Sequence, residues 1–142
     1  MGEAEAPVLR TEGLSIRFGG HAAVDGVSCA FQAGTLTAIV GPNGAGKTTY
    51  FNLISGQLRA SAGRVALFGQ DITGLGAAAR CRRGIGRAFQ LTNLFPRLTV
   101  AENVRLAVQS RAGRGADLWS MWSRDVELIE RAEHCLHRVA LE

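Results

Sequence analysis

The clearest chemistry in this sequence lies in one short run, Gly41-Pro42-Asn43-Gly44-Ala45-Gly46-Lys47-Thr48-Thr49, which has the spacing G-x-x-x-x-G-K-T. Residues of these types at this spacing can wrap the polyphosphate of a nucleotide. Backbone N–H groups must close around the anion, and Gly41, Gly44 and Gly46 permit both the unusual backbone angles and the close approach. Lys47 supplies a flexible point charge for the β- and γ-phosphates, and Thr48 offers a hydroxyl to a Mg²⁺ ion bridging them. Lys47 is also the only lysine in the chain; every other basic position is arginine. A compact ammonium suits this place.

The motif needs a strand before it and a helix after it. Leu36–Val40 is an apolar run of strand length, and the spacing predicts a helix over Thr48–Ile54, ended at Ser55-Gly56. Such a helix aims its unpaired N-terminal N–H groups and the positive end of its dipole at the anion. Upstream, Leu14, Ile16 and Phe18 alternate with polar residues, as in a half-buried strand over Val8–Phe18. Gly19-Gly20 turns the chain, Val24–Phe31 reads as a second strand, and Ala33-Gly34 turns into a third at Leu36–Val40. The pattern predicts an antiparallel flap beside the phosphate-loop strand. Downstream, strands are expected at Arg64–Phe68 and Ile85–Phe89, with a turn over Gly69–Gly74 and a helix over Ala77–Arg83. Thr99-Val-Ala-Glu102 is a capping box opening a helix to about Gln109. Arg111–Ala116 reads as a loop. Leu128, Ala132, Cys135, Leu136 and Val139 then form one apolar face of a helix over Arg124–Ala140.

A chain of 142 residues is about one domain and can bury a core. Its net charge of +4 is modest. Arg80, Arg82, Arg83 and Arg87 form a cluster that could meet nucleic acid or lipid phosphate, but with no interleaved aromatics a solvated helix face is the favoured reading. Cys29, Cys81 and Cys135 form no metal spacing and read as small buried hydrophobes in a reducing compartment. His134 and His137 lie three apart but lack a third ligand, so they read as surface residues. There is no signal-peptide pattern and no apolar run long enough to span a bilayer, which implies a cytoplasmic protein.

The run Phe18-Gly-Gly-His-Ala-Ala-Val-Asp-Gly-Val-Ser28, the Gly34 turn and Gly41–Thr49 together resemble the nucleotide-binding subunit of ABC transporters. The resemblance implies a P-loop NTPase core of α/β class, with an N-terminal antiparallel β flap and the start of an α-helical subdomain. It places flap and core over residues 1–98 and the helical part over 99–142. It also implies ATP and Mg²⁺ as cofactors. Phe18 matches an aromatic residue that stacks on adenine; on residue type alone it could equally be core. Ala23 would be a small contact near the sugar. Gln90, in Arg87-Ala-Phe-Gln90, matches a glutamine whose carbonyl reaches Mg²⁺ and the attacking water. Leu91–Val104 follows the same pattern, in which the segment after the glutamine receives a helix from a membrane subunit. Leu94, Phe95 and Pro96 are then either local core or a docking patch. Leu118-Trp119-Ser-Met121-Trp122 either packs on the helical core or faces a membrane or membrane subunit.

The Arg-Ala-Phe-Gln90 run, Leu98-Thr-Val-Ala-Glu-Asn103 and the Trp-containing stretch look like the ATP-binding subunits of branched-chain amino acid importers, or of the similar urea importers. Such a subunit works with transmembrane permease subunits and a second ATP-binding subunit, at the inner face of the cell membrane, without nucleic acid. The family pattern continues with a Leu-Ser-Gly-Gly-Gln-type signature, a Walker B strand ending in Asp-Glu and a switch histidine, none of which this sequence contains. The chain therefore looks like the N-terminal half of such a subunit. It is expected to have an incomplete sheet, to bind nucleotide weakly and not to hydrolyse it alone. Two other readings are an ABC-type ATPase acting on nucleic acid, which long coiled-coil heptads would favour, and a non-catalytic interaction fragment.

Overall fold

A computed structural model describes residues 6–88, 94–113 and 126–139. The chain divides into two units, Met1–Arg87 and Ala88–Glu142. The first is of mixed α/β class: β1 (Leu9–Phe18), β2 (His21–Phe31), α1 (Lys47–Ser55), β3 (Ala62–Leu67), β4 (Gln70–Asp71) and α2 (Ala77–Arg82). The second holds α3 (Val100–Arg111) and α4 (Val126–His137).

The four strands form one antiparallel sheet in the order β2-β1-β3-β4. The Gly19-Gly20 turn joins β1 to β2 and pairs Phe18 with His21. Irregularities in the β1–β2 register around Gly13 shift the alternation, so Thr11 and Leu14, three residues apart, are both buried. That face packs on α1. Leu14, Ile16 and Val24 from the hairpin, Tyr50, Leu53 and Ile54 from α1, Val65 and Leu67 from β3, and Ile72 make one apolar cluster. Inside it, Thr11 Oγ1 and Tyr50 OH share a hydrogen bond of 2.7 Å, and Cys29 N donates to the same Thr11 oxygen at 3.0 Å. One buried hydroxyl thus ties β1, β2 and α1 together, leaving none of these polar groups stranded.

Three expected elements differ. Leu36–Val40 is not a strand: no ladder includes it, and Leu36 and Val40 are exposed. Such a continuous apolar run is made for a sheet covered on both faces, and no strand among the described residues lies alongside to supply hydrogen bonds. Ile85–Ala88 is likewise irregular, and Phe89 lies outside the described residues. β3 ends one residue early because Phe68 belongs to the turn. Phe68 and Gly69 have φ of 47° and 75°, a two-residue hairpin that pairs Leu67 with Gln70 and adds β4 inside the expected loop.

In the second unit the capping box is present. Glu102 N donates to Thr99 Oγ1 at 3.3 Å, and Thr99 N donates to Glu102 Oε2 at 2.6 Å. Asn103 fixes the preceding loop: its Nδ2 donates to the carbonyls of Phe95, Leu98 and Thr99, and its Oδ1 accepts from Phe95 N. α3 and α4 pack together, with Leu128 and Ala132 buried. Cys135 and Val139, expected on the buried face, are exposed. Cys81 is exposed too and Cys29 is half-buried, so the cysteines are not the buried hydrophobes their type suggests. The Leu118–Trp122 stretch lies outside the described residues.

Tyr50 is the chain's single tyrosine, and burial pushes its phenol up to about 12. Below the ordinary value near 10 the phenol is protonated in both folded and unfolded states. Above it only the folded state keeps the proton, so stability falls as pH rises from about 10 through about 12. Ultraviolet titration of tyrosinate is expected to show a midpoint near 12 in the native chain and near 10 in urea. A native midpoint near 10 would mean that Tyr50 is not buried between α1 and the sheet.

Candidate phosphate-binding site

The phosphate motif runs directly into α1. Gly46 is the N-cap, in the left-handed region at φ 79°, and Tyr50 N donates to Gly46 O at 2.8 Å to open the helix. No side chain caps this end, and the first turn has no acidic residue. The helix therefore begins with bare backbone donors and an uncompensated positive dipole end.

β2 sets where this end lies. A Cβ on Gly46 would stand 2.2 Å from the carbonyl oxygen of Ala23 and 3.5 Å from Val24 Cγ2. Only glycine permits that approach at that φ. Ala23 thus meets the loop through its backbone. Gly44 also needs a positive φ, 83°. Gly41 does not: its φ is not positive, and an added Cβ would make an ordinary contact of 3.5 Å with Ala45 Cβ. The expectation of special backbone angles at all three glycines is corrected at Gly41.

Lys47 closes the loop upon itself. Its Nζ donates to the carbonyls of Gly41 at 2.6 Å and Pro42 at 2.7 Å, and Ala45 N donates to Pro42 O at 3.3 Å. The ammonium therefore stands at the loop's mouth on neutral acceptors. Phosphate oxygens are stronger acceptors for the same donors. Asn43, Ala45 and Thr48 are exposed and Thr49 is half-buried. The Thr48 hydroxyl is the described group suited to Mg²⁺. Among the described residues no cluster of His, Cys, Asp and Glu could hold a metal. Phe18 stands 52 % exposed at the end of β1, which rules out the core reading for it. Gln90 lies outside the described residues.

The sequence reading missed Arg80. It is 3 % exposed, not part of a solvated face. Its guanidinium donates to four carbonyls: Leu53 and Ile54 at 2.7 Å each, and Thr73 and Leu75 at 2.8 Å each. Burial pushes its pKa down and Asp71 opposes the shift. Arg87 donates to Ser55 Oγ at 3.0 Å and to Asn52 Oδ1. The one available signal was negative: α1 has no basic residue in its last turn, where a cation is favourable.

A family model described as ABC transporter matches residues 24–142. The high-affinity branched-chain amino acid transport ATP-binding protein BraF of Pseudomonas aeruginosa is 41 % identical over 101 residues, covering 71 % of this chain and 40 % of that protein. An Fe(3+) ions import ATP-binding protein of Rhodococcus jostii, FbpC 1, is 42 % identical over 126 residues, covering 87 % of this chain and 36 % of that protein. Among solved structures, an ATP-binding cassette of an ABC transporter in its ADP conformation superposes with a TM-score of 0.77 at 33 % identity, covering 94 % of this chain and 54 % of that one. The chain spans about half the length, or less, of these proteins.

The glycine geometry is testable by thermal melting. Gly46→Ala is expected to destabilise the first unit by more than about 1 kcal/mol, since it adds both a clash and a disfavoured φ. Gly41→Ala is expected to stay within about 0.5 kcal/mol. Equal losses at the two sites would contradict the close packing of Ala23 on Gly46.

Proposed function

Because the chain belongs to the ABC transporter family, we propose that its first unit is the phosphate- and base-binding part of an importer's ATP-binding subunit. The observation that carries this is the join of the G-x-x-x-x-G-K-T loop to an uncapped, acid-free helix N-terminus, with Lys47 at the loop's mouth. The N–H groups of the loop and of α1's first turn bind the phosphates, and Lys47 exchanges its two carbonyl acceptors for phosphate oxygens. Thr48 would hold Mg²⁺ through its hydroxyl, and the ion would supply charge neutralisation at the phosphates; the Mg²⁺ role expected of Gln90 rests on the family resemblance alone. Phe18 offers its exposed ring to adenine, a flat apolar surface with no hydrogen-bond code. Ala23 lines the sugar side.

The proposed partners are permease subunits and a second ATP-binding subunit, with ATP binding and hydrolysis by the assembled transporter driving import. The second unit supports this reading. Leu94 and Phe95 are 65 % and 60 % exposed, so they are not local core, and Asn103 holds the loop that presents them. Ordered, exposed apolar residues suit a docking patch for a membrane-subunit helix. For the cargo we propose branched-chain amino acids, on the similarity to the transport protein of that name and on Arg87-Ala-Phe-Gln90; the relative named for Fe(3+) import is as similar. No helix among the described residues is long and apolar enough to cross a membrane, and we place the subunit at the membrane's inner face through its permease.

Titration with a fluorescent ATP analogue, with and without Mg²⁺, tests the site. Saturable binding is expected, strengthened by Mg²⁺ and weakened about ten- to a hundredfold in Lys47→Ala. Equal binding by both proteins would move the nucleotide off this loop, and tight binding to DNA with a steep salt slope would favour a nucleic-acid ATPase.

A further inference from the structure

Helix α1 carries phosphate donors at one end and has no cation of its own at the other. At that other end the chain packs closely. Gly56 ends the helix at φ 77°, and a Cβ there would meet Ala77 N at 2.9 Å, Gly76 C at 3.0 Å and Arg80 Cδ at 3.1 Å. The missing side chain lets the start of α2 close on the end of α1. Arg80 then fills the gap, with Nη1 on the carbonyls of Leu53 and Ile54, Nη2 on Thr73 O and Nε on Leu75 O. A buried guanidinium is costly unless its donors are paired, and these four carbonyls pair them.

We propose that Arg80 is a positioning residue for phosphate binding, acting through α1. It fixes the helix's C-terminal carbonyls to the Thr73–Leu75 segment, and its charge opposes the negative end of the same dipole whose positive end faces the anion. Hinged at Gly46 on Ala23 and clamped at Arg80, α1 keeps its first-turn N–H groups aimed at one point. Loosening the clamp lets that aim wander, and preorganised donors lose their advantage. This inference rests on the phosphate site proposed above. It assigns to Arg80 an effect on the phosphates and none on the base.

The test uses inorganic tripolyphosphate, which meets only the phosphate site, beside ATP, with Arg80→Lys in the full chain. Circular dichroism melts first fix a temperature at which wild type and variant are both folded. At that temperature the variant is expected to bind both probes about tenfold more weakly, with the ratio between the two Kd values unchanged. A folded variant with wild-type Kd values for both probes would overturn the proposal, as would a loss confined to ATP. Wild type that binds neither probe would instead overturn the phosphate site itself.

A second measurement needs no variant. Binding linkage is reciprocal, so a phosphate favoured by the Arg80 clamp must tighten that clamp. In wild-type protein labelled with ¹⁵N, solvent exchange of the Arg80 Nε–H is expected to slow several-fold on saturation with tripolyphosphate. Saturation of the phosphate site with no change in that exchange would overturn the proposal even where Arg80→Lys does not fold.

Discussion

Helix α1 has to be held by other segments at both ends, and the phosphate site depends on that. Its N-terminus has no capping side chain and no acid, and Ala23 of β2 seats it by approaching Gly46 too closely for any other residue. Its C-terminus has no base, and Arg80 brings one from α2. Between the ends, Tyr50, Leu53 and Ile54 lie on the sheet, and the Thr11 hydroxyl fixes Tyr50 from the strand side. The flap is therefore more than a platform for an aromatic ring. Through Ala23 and Thr11 it determines where the helix begins and how it is rotated.

The local signals for this arrangement were legible in the sequence. The motif, the helix after it, the β1–β2 hairpin and the Thr99–Glu102 capping box each arise from short-range chemistry, and each forms where the residues indicate. The antiparallel flap was legible for the same reason, and the α/β class through the resemblance to ABC ATP-binding subunits. What escaped depends on contacts between segments far apart in the chain. Arg80 reads as a surface arginine because nothing near it in sequence shows that it will meet carbonyls of Leu53 and Ile54. Cys81 and Cys135 read as buried on residue type, yet their positions on α2 and α4 face outward. The shift around Gly13 put Thr11 in the core, which strict alternation from Leu14 would have placed outside.

Leu36–Val40 shows the same limit from the other side. Its pattern suits a central strand, but a strand exists only through its neighbours, and among the described residues none pairs with it. Its exposed side chains and the exposed Leu94 and Phe95 of the second unit are apolar for different physical reasons. The first is a backbone with free hydrogen-bonding groups and apolar faces, matched to sheet neighbours. The second is a loop whose backbone Asn103 already satisfies at Phe95, Leu98 and Thr99, leaving only side chains to be covered. An element that needs strands and a surface that accepts side chains are both consistent with a chain spanning about half the length of its relatives.

Mapping backbone amide shifts of the ¹⁵N-labelled chain during addition of ATP, first without and then with Mg²⁺, shows whether the end of α1 holds the phosphates. The largest shifts are expected on Gly44 to Thr49, with smaller ones at Ala23 and Phe18. Thr48 is expected to respond further when Mg²⁺ is added. Shifts centred on Arg82 or Arg83 with Gly44 to Thr49 unmoved would contradict this, because the nucleotide would then be held by surface charge and not by the end of α1.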